Sequence, residues 1–203
     1  MKSVLSAGFY ARDVATVARE LIGAEMCRRS RDGLTVGRIV ETEAYLSKGD
    51  SAAHSFSGIN RKNASMFGPP GHAYVYTIHA RQCVNVVTEK QGVGSAVLIR
   101  AVEPIAGLTL MEQRRRTVKP RDLCRGPARL CEAFDIGRAF DGWSLVSGRR
   151  LWLIEADGDN TSVLSSVRIG VTSAEDLRLR FFEADNPFVS GPRKLNDTGI
   201  AVD

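Results

Sequence analysis

The sequence predicts an α+β fold, a single domain over residues 1–203 built on a curved antiparallel or mixed β-sheet with helices around it. Two observations lead there. Segments of period two, rich in β-branched and aromatic residues, come as hairpin pairs, and the segments of helical period do not alternate with them as βαβ units. In addition, 203 residues at 43% hydrophobic and 25% charged can bury one ordinary core, and no repeat, low-complexity tract or linker divides them.

Asp13 can cap a helix in which Val14, Val17, Ala18, Leu21 and Ile22 fall on one face, with Gly23 just past its end. Residues 24–28 read as a short strand, and Asp32-Gly33 turns the chain into a second strand over residues 36–45. Side chains two apart share a face of a strand, so Glu41, Glu43 and Tyr45 project together. Two carboxylates at the end of an apolar strand are a candidate general acid or base, or the solvated face of an edge strand.

A polar loop follows, with Asp50 and His54 four apart and then an aperiodic run through Asn60, Arg61, Lys62 and Asn63; such loops are where sites are commonly built. The MFGPPG segment is a rigid turn because two prolines fix φ between glycines. Residues 74–79 alternate, with Tyr74, Tyr76 and Ile78 on one face, and pair with residues 83–87 in a hairpin whose tip holds His79, Ala80 and Arg81. Residues 95–102 are apolar on both faces until Arg100, a charge that requires a partner in Glu41 or Glu43. Pro104 is expected to end that strand, and residues 105–116 to form a helix. Gly126-Pro127 opens another helix, with Leu130, Cys131 and Phe134 on one side. Residues 151–155 and 167–171 read as two more strands, followed by loops holding Phe181, Phe182, Pro187 and Phe188.

The formal net charge of +5 makes a polyanion a plausible partner. Arg114, Arg115, Arg116, Lys119, Arg121, Arg125 and Arg129 stand against the single acid Asp122 in that stretch; a phosphate backbone and a solvated surface both fit it. Cys27, Cys83, Cys124 and Cys131 have no disulfide-framework spacing and fit reduced thiols in a cytosolic protein. His54, His72 and His79 lack zinc-site spacing, so no metal is expected. The N-terminal residues read as neither signal peptide nor membrane span, which points to the cytoplasm.

The blocks GRIVETEAYLSKGDSAAHS, MFGPPGHAYVY, CVN, AVLIRAVEPIAG and LCRGPARLCEAF, in that order over residues 21–190, closely resemble the alkyladenine DNA glycosylases, also called methylpurine or 3-methyladenine DNA glycosylases. The resemblance implies a monofunctional hydrolase of base excision repair, a monomer with no cofactor. Its partner is duplex DNA containing a damaged purine, which it flips out before hydrolysing the N-glycosidic bond. The substrates implied are 3-methyladenine, 7-methylguanine, hypoxanthine and ethenoadenine. The family's water-activating glutamate falls on Glu43 and its partner arginine on Arg100. Pocket residues fall on Tyr45, His54 and Tyr76, and the asparagine that crowds the purine edge falls on Asn85. The resemblance also makes the second hairpin a DNA-inserting one. Where the family commonly has an aromatic wedge this chain has His79 in a hairpin one residue shorter, so the wedge falls on His79 or Arg81.

These positions are chemically coherent in themselves. A carboxylate can orient water and stabilise oxocarbenium-like charge, Arg100 keeps it ionised, and an aromatic cage favours electron-poor alkylated bases. Two other functions use part of the same equipment. A non-catalytic damaged-DNA-binding protein would need neither Glu43 nor Arg100, and a nucleoside hydrolase would not need the basic face.

Overall fold

The structure is a computed structural model that describes residues 2–156 and 162–202. Its strands are β1 (Glu25–Arg29), β2 (Leu34–Tyr45), β3 (Ala73–Ile78), β4 (Arg81–Thr88), β5 (Ser95–Ala106), β6 (Leu151–Ile154), β7 (Val163–Ser166), β8 (Arg180–Glu183) and β9 (Ile200–Ala201). They join in one open sheet in the order β3-β4-β5-β2-β8-β7-β9, with β1 and then β6 branching from β2. Each described strand pairing is antiparallel. With the helices around it this is the α+β fold that the sequence predicts.

β2 is the trunk of the sheet. β5 pairs along one side of it, while on the other side β1 takes the first half, Leu34 to Arg38, and β8 takes Glu41 to Glu43. A strand flanked on both sides and covered by helices is buried almost throughout, so Glu41 and Glu43 lie deep in the sheet and not on a solvated edge. The covering helices are α1 (Ala7–Tyr10), α2 (Val14–Glu20), α3 (Leu108–Arg115), α4 (Pro120–Leu123), α5 (Pro127–Ala133) and α6 (Arg193–Asn196). Asp13 caps α2 by accepting from the Thr16 N–H at 2.8 Å, and Val14, Val17 and Ala18 pack inward against β2 and β5. α5 buries Leu130 and Cys131 against β4 and β5.

Four sequence expectations are corrected. β5 continues through Pro104 to Ala106, because the register passes from Gly37 opposite Pro104 to Val36 opposite Ala106; the irregularity there tolerates a residue without an N–H. α3 begins at Leu108 because Gly107 takes a left-handed φ of 76°, and a Cβ there would stand 2.4 Å from the Leu34 carbonyl oxygen. The strand expected at residues 167–171 is β7, a few residues earlier, and residues 167–171 form a connection. Phe181 and Phe182 lie in β8, not in a loop. A two-residue apolar run flanked by Arg180 and Glu183 has no period to mark it, and its pairing with both β2 and β7 makes it a strand.

The second hairpin closes with Ile78 opposite Arg81, so His79 and Ala80 form a two-residue turn. Their φ angles of 47° and 59° are both left-handed, the pattern of a type I′ turn that normally takes Asn or Gly. Both residues are exposed.

Candidate active site

Glu43 and Arg100 meet through an irregular register. Glu41 faces Ala101 and Thr42 faces Ile99, so Arg100 is an extra residue of β5 without a ladder partner. A bulge re-aims a side chain, and here it turns the guanidinium onto both carboxylates. Arg100 Nε donates to Glu41 Oε1 and Nη1 to Glu43 Oε2, each at 3.2 Å. Glu43 Oε2 also accepts from the Tyr45 hydroxyl at 2.9 Å, and Oε1 accepts from the Ile169 backbone N–H at 2.7 Å. A carboxylate offers about four acceptor positions, so three filled ones leave room for one further donor. Burial works against the Arg100 charge, but Glu43 and Glu41 outweigh it and hold its pKa above the usual arginine value. Burial, followed by the charge on Glu43, pushes the Tyr45 phenol well up, so Tyr45 stays protonated and donates.

In front of this cluster lies a cavity of about 250 Å³ whose wall includes Tyr45, His54, Met66, Tyr74, Tyr76, Asn85 and residues 170–173. This is small beside the roughly 300–1,000 Å³ of sites for drug-sized ligands and suits one flat ring. His54 stands edge-on to Tyr76, with ring centroids 4.5 Å apart, and its Nδ1 shares a hydrogen bond with the Tyr74 hydroxyl at 2.7 Å. Burial pushes the Tyr74 phenol up to about 12, so it is neutral in that bond at ordinary pH. Asn85 is fixed by donating from Nδ2 to the Tyr74 carbonyl at 2.9 Å. Glu43 is absent from the wall and sits one hydrogen bond behind it, through Tyr45 and through Ile169, which precedes Gly170.

The sequence reading thus names residues that the structure brings together: Glu43, Arg100, Tyr45, His54, Tyr76 and Asn85. His79 and Arg81 lie apart, at the exposed hairpin end. Several members of the site were missed. Tyr74 shares the face of Tyr76 at period two, which the sequence does display. Arg180 and Arg168 also belong to the site, and each is an arginine in a short apolar stretch, the same signal that singles out Arg100. Asp50 is no free acid of the loop: both its oxygens accept from Arg168, at 2.6 and 2.7 Å, and both side chains are fully buried. The Arg168 guanidinium carbon stands 4.7 Å from the centre of the Tyr45 ring.

Most of the basic run has partners within the protein, although Arg116, Lys119, Arg121 and Arg129 are exposed. Arg114, Arg115, Arg121 and Arg125 donate to the carbonyls of Ala133, Leu123, Pro187 and Val189, and Arg129 pairs with Asp122. Arg61 and Lys62, by contrast, are exposed on a groove that adjoins the cavity through His54, Tyr74 and Tyr76. Among the described residues no group of three or more His, Cys, Asp or Glu is arranged to hold a metal ion, and no helix is long and apolar enough to cross a membrane.

The family model described as methylpurine-DNA glycosylase matches residues 8–187. Curated relatives bear the printed name "Putative 3-methyladenine DNA glycosylase". One from Methanoculleus marisnigri is 45% identical over 190 residues, covering 92% of this chain and 98% of its own. Another from Paraburkholderia phytofirmans is 46% identical over 184 residues, covering 90% and 86%, and one from Rhodopirellula baltica is 44% identical over 200 residues, covering 92% and 83%. The match runs through β2, β5, β8 and every residue of the cluster around Glu43, and the chain belongs to the methylpurine-DNA glycosylase family, hydrolases of N-glycosidic bonds.

Proposed function

We propose that the protein is a monofunctional glycosylase that flips alkylated or deaminated purines, of the 3-methyladenine, 7-methylguanine, hypoxanthine and ethenoadenine class, out of duplex DNA and hydrolyses the N-glycosidic bond. The observation that carries this reading is the position of Glu43, one hydrogen bond behind an aromatic-walled cavity sized for a single base. As the bond to the base breaks, the sugar carbon gains oxocarbenium-like charge. A carboxylate paired with Arg100 can face that charge and accept the proton of an attacking water at its remaining acceptor position. Tyr45, Tyr76 and His54 supply the cage, in which a cationic alkylated base gains attraction to the ring faces and is also the better leaving group.

Duplex DNA carrying one hypoxanthine should yield an alkali-labile abasic site on incubation with the protein, and free inosine should not be cleaved. Binding without an alkali-labile product would favour a non-catalytic damage-binding protein, and cleavage of inosine at a comparable rate would favour a nucleoside hydrolase.

The anchored Asn85 amide places its bulk on the cavity wall, where we assign it to exclude the exocyclic amino group of guanine. Asn85→Ser should open that edge and relax discrimination by roughly 1–3 kcal/mol, read as a gain in excision of guanine and 7-methylguanine relative to hypoxanthine. Equal ratios in both proteins would remove Asn85 from the selectivity.

His79 we assign as the wedge that replaces the flipped nucleotide in the stack. Its left-handed φ costs energy in a residue with a Cβ, and strain of this kind, shared here with Ala80, clusters at functional sites. Aromatic stacking on a base is worth roughly 1–3 kcal/mol, so His79→Ala should slow excision from duplex by about 10- to 100-fold and from single strands far less. An equal effect on both substrates would discard the wedge; a duplex-specific loss in Arg81→Ala instead would transfer the role to Arg81.

A further inference from the structure

We propose that Glu41 and Arg180 are positioning residues for the hydrolysis, holding Arg100 in the orientation in which it serves Glu43. The inference rests on the glycosylase reading and concerns residues that neither touch the cavity nor have a role in it. As a bulged residue, Arg100 lacks the ladder pairing that would fix its backbone direction, so its guanidinium is located by its two carboxylate contacts. The Glu41 contact occupies Nε and leaves the Nη side facing Glu43. Glu41 is itself immobilised: Oε1 accepts from Arg180 Nε at 2.7 Å and Oε2 from the Ser190 N–H at 2.7 Å.

Arg180 is more rigid still. Besides Glu41 it donates to the Ser166 hydroxyl at 2.9 Å, to the Ser190 carbonyl at 3.1 Å and to Asn196 Oδ1 at 2.8 Å, and its guanidinium lies 4.3 Å from the centre of the Phe182 ring. A fully buried arginine with every guanidinium nitrogen bonded thus anchors a buried glutamate, which orients Arg100 against Glu43. Glu41 and Glu43 against Arg100 and Arg180 also make the cluster neutral, which is what allows four charges to be buried together. Burial would raise the Glu41 carboxyl, but Arg100 and Arg180 outweigh it and hold it below the usual carboxylate range, so Glu41 contributes a fixed negative charge.

This arrangement predicts opposite electrostatic effects from its two ends. The other charged or titratable groups that act on the two glutamates are Tyr45, Tyr76, Cys83, Arg125 and Arg168, and they are unchanged in the variants below. Glu41→Gln removes a negative charge from the cluster, so the acid limb of the pH–rate profile moves to lower pH. Arg180→Gln removes a positive charge and moves that limb to higher pH. Each shift should be about one pH unit. Misplacing Arg100 should in addition lower the plateau rate by about 10- to 100-fold in both, with affinity for lesion-bearing duplex unchanged.

The experiment is single-turnover excision of hypoxanthine from duplex across pH 4–9, with duplex binding measured in parallel, for wild type, Glu41→Gln, Arg180→Gln and the double variant. The expected result is limbs displaced in opposite directions, and a double variant whose limb returns to the wild-type position while its plateau stays low. Limbs that stay in place or move together, or a double variant with the wild-type plateau, would overturn the proposal. If a single variant fails to fold, the charge-neutral double variant decides by its plateau. A wild-type protein that excises no hypoxanthine refutes the glycosylase reading itself, a result distinct from active wild type with unresponsive variants.

Discussion

Glu43→Gln should lower hypoxanthine excision by about 10²–10⁴-fold while leaving the affinity for lesion-bearing duplex nearly intact. The side chain is fully buried and does not form part of the cavity wall, so the change removes no surface from the bound base. What it removes is the acceptor. The amide oxygen can still accept from Arg100 and Tyr45, but the amide nitrogen then faces the Ile169 N–H, two donors opposed where the carboxylate now accepts at 2.7 Å. A cost in stability of about 1–3 kcal/mol is therefore expected alongside the loss of activity. Thermal unfolding of the variant separates the two effects, because a loss of rate confined to partly unfolded protein would track the melting curve. A folded Glu43→Gln protein with near-native single-turnover rate would mean that another group activates the water.

Much of this site was legible because buried charge obeys a simple rule. Arg100 interrupts a segment that is apolar on both faces, and only a carboxylate partner makes that tolerable, so the pairing with Glu41 or Glu43 could be stated from residue types alone. The structure answers that open choice with both. What could not be read was how Arg100 reaches them, because a bulge is a property of the register between two strands, and a sequence displays one strand at a time. Distance along the chain hid the rest. Ser190 donates to Glu41 and Ile169 to Glu43 from more than a hundred residues away, through backbone N–H groups that carry no residue-type signal. Arg168 and Arg180 obey the same rule as Arg100, but they lie in short segments where hydrophobic period is weak, and the sequence around Arg180 reads as a loop although it forms β8.

The buried pair of Asp50 and Arg168 should show the largest effect on stability. Arg168→Met leaves the Asp50 carboxylate without its bidentate partner in a fully buried position, a change that costs about 3–5 kcal/mol. The pair links three parts of the site. Asp50 also accepts from the Leu46 and Ala52 N–H groups, which shapes the loop after β2, and Arg168 donates to the Ala44 carbonyl while its guanidinium lies against the Tyr45 ring. Burial would raise the Asp50 carboxyl, but hydrogen bonds from Arg168, Leu46 and Ala52 hold it below the usual aspartate range. A carboxyl depressed in the folded state binds fewer protons than in the unfolded chain. Its stabilisation is therefore complete above the unfolded value of about 3.9 and is lost as pH falls through the folded one. Asp50→Asn/Arg168→Met, which leaves no unpaired charge, should recover part of the stability lost in Arg168→Met and should lack this acid dependence. Urea unfolding at pH 7 and at about pH 3 measures both quantities. A cost below about 1 kcal/mol for Arg168→Met at pH 7 would show that the loop and Tyr45 hold their places without the pair. In the expected case excision should fall with stability restored by cooling, because Tyr45 then loses the support behind its ring and with it the geometry of its hydrogen bond to Glu43.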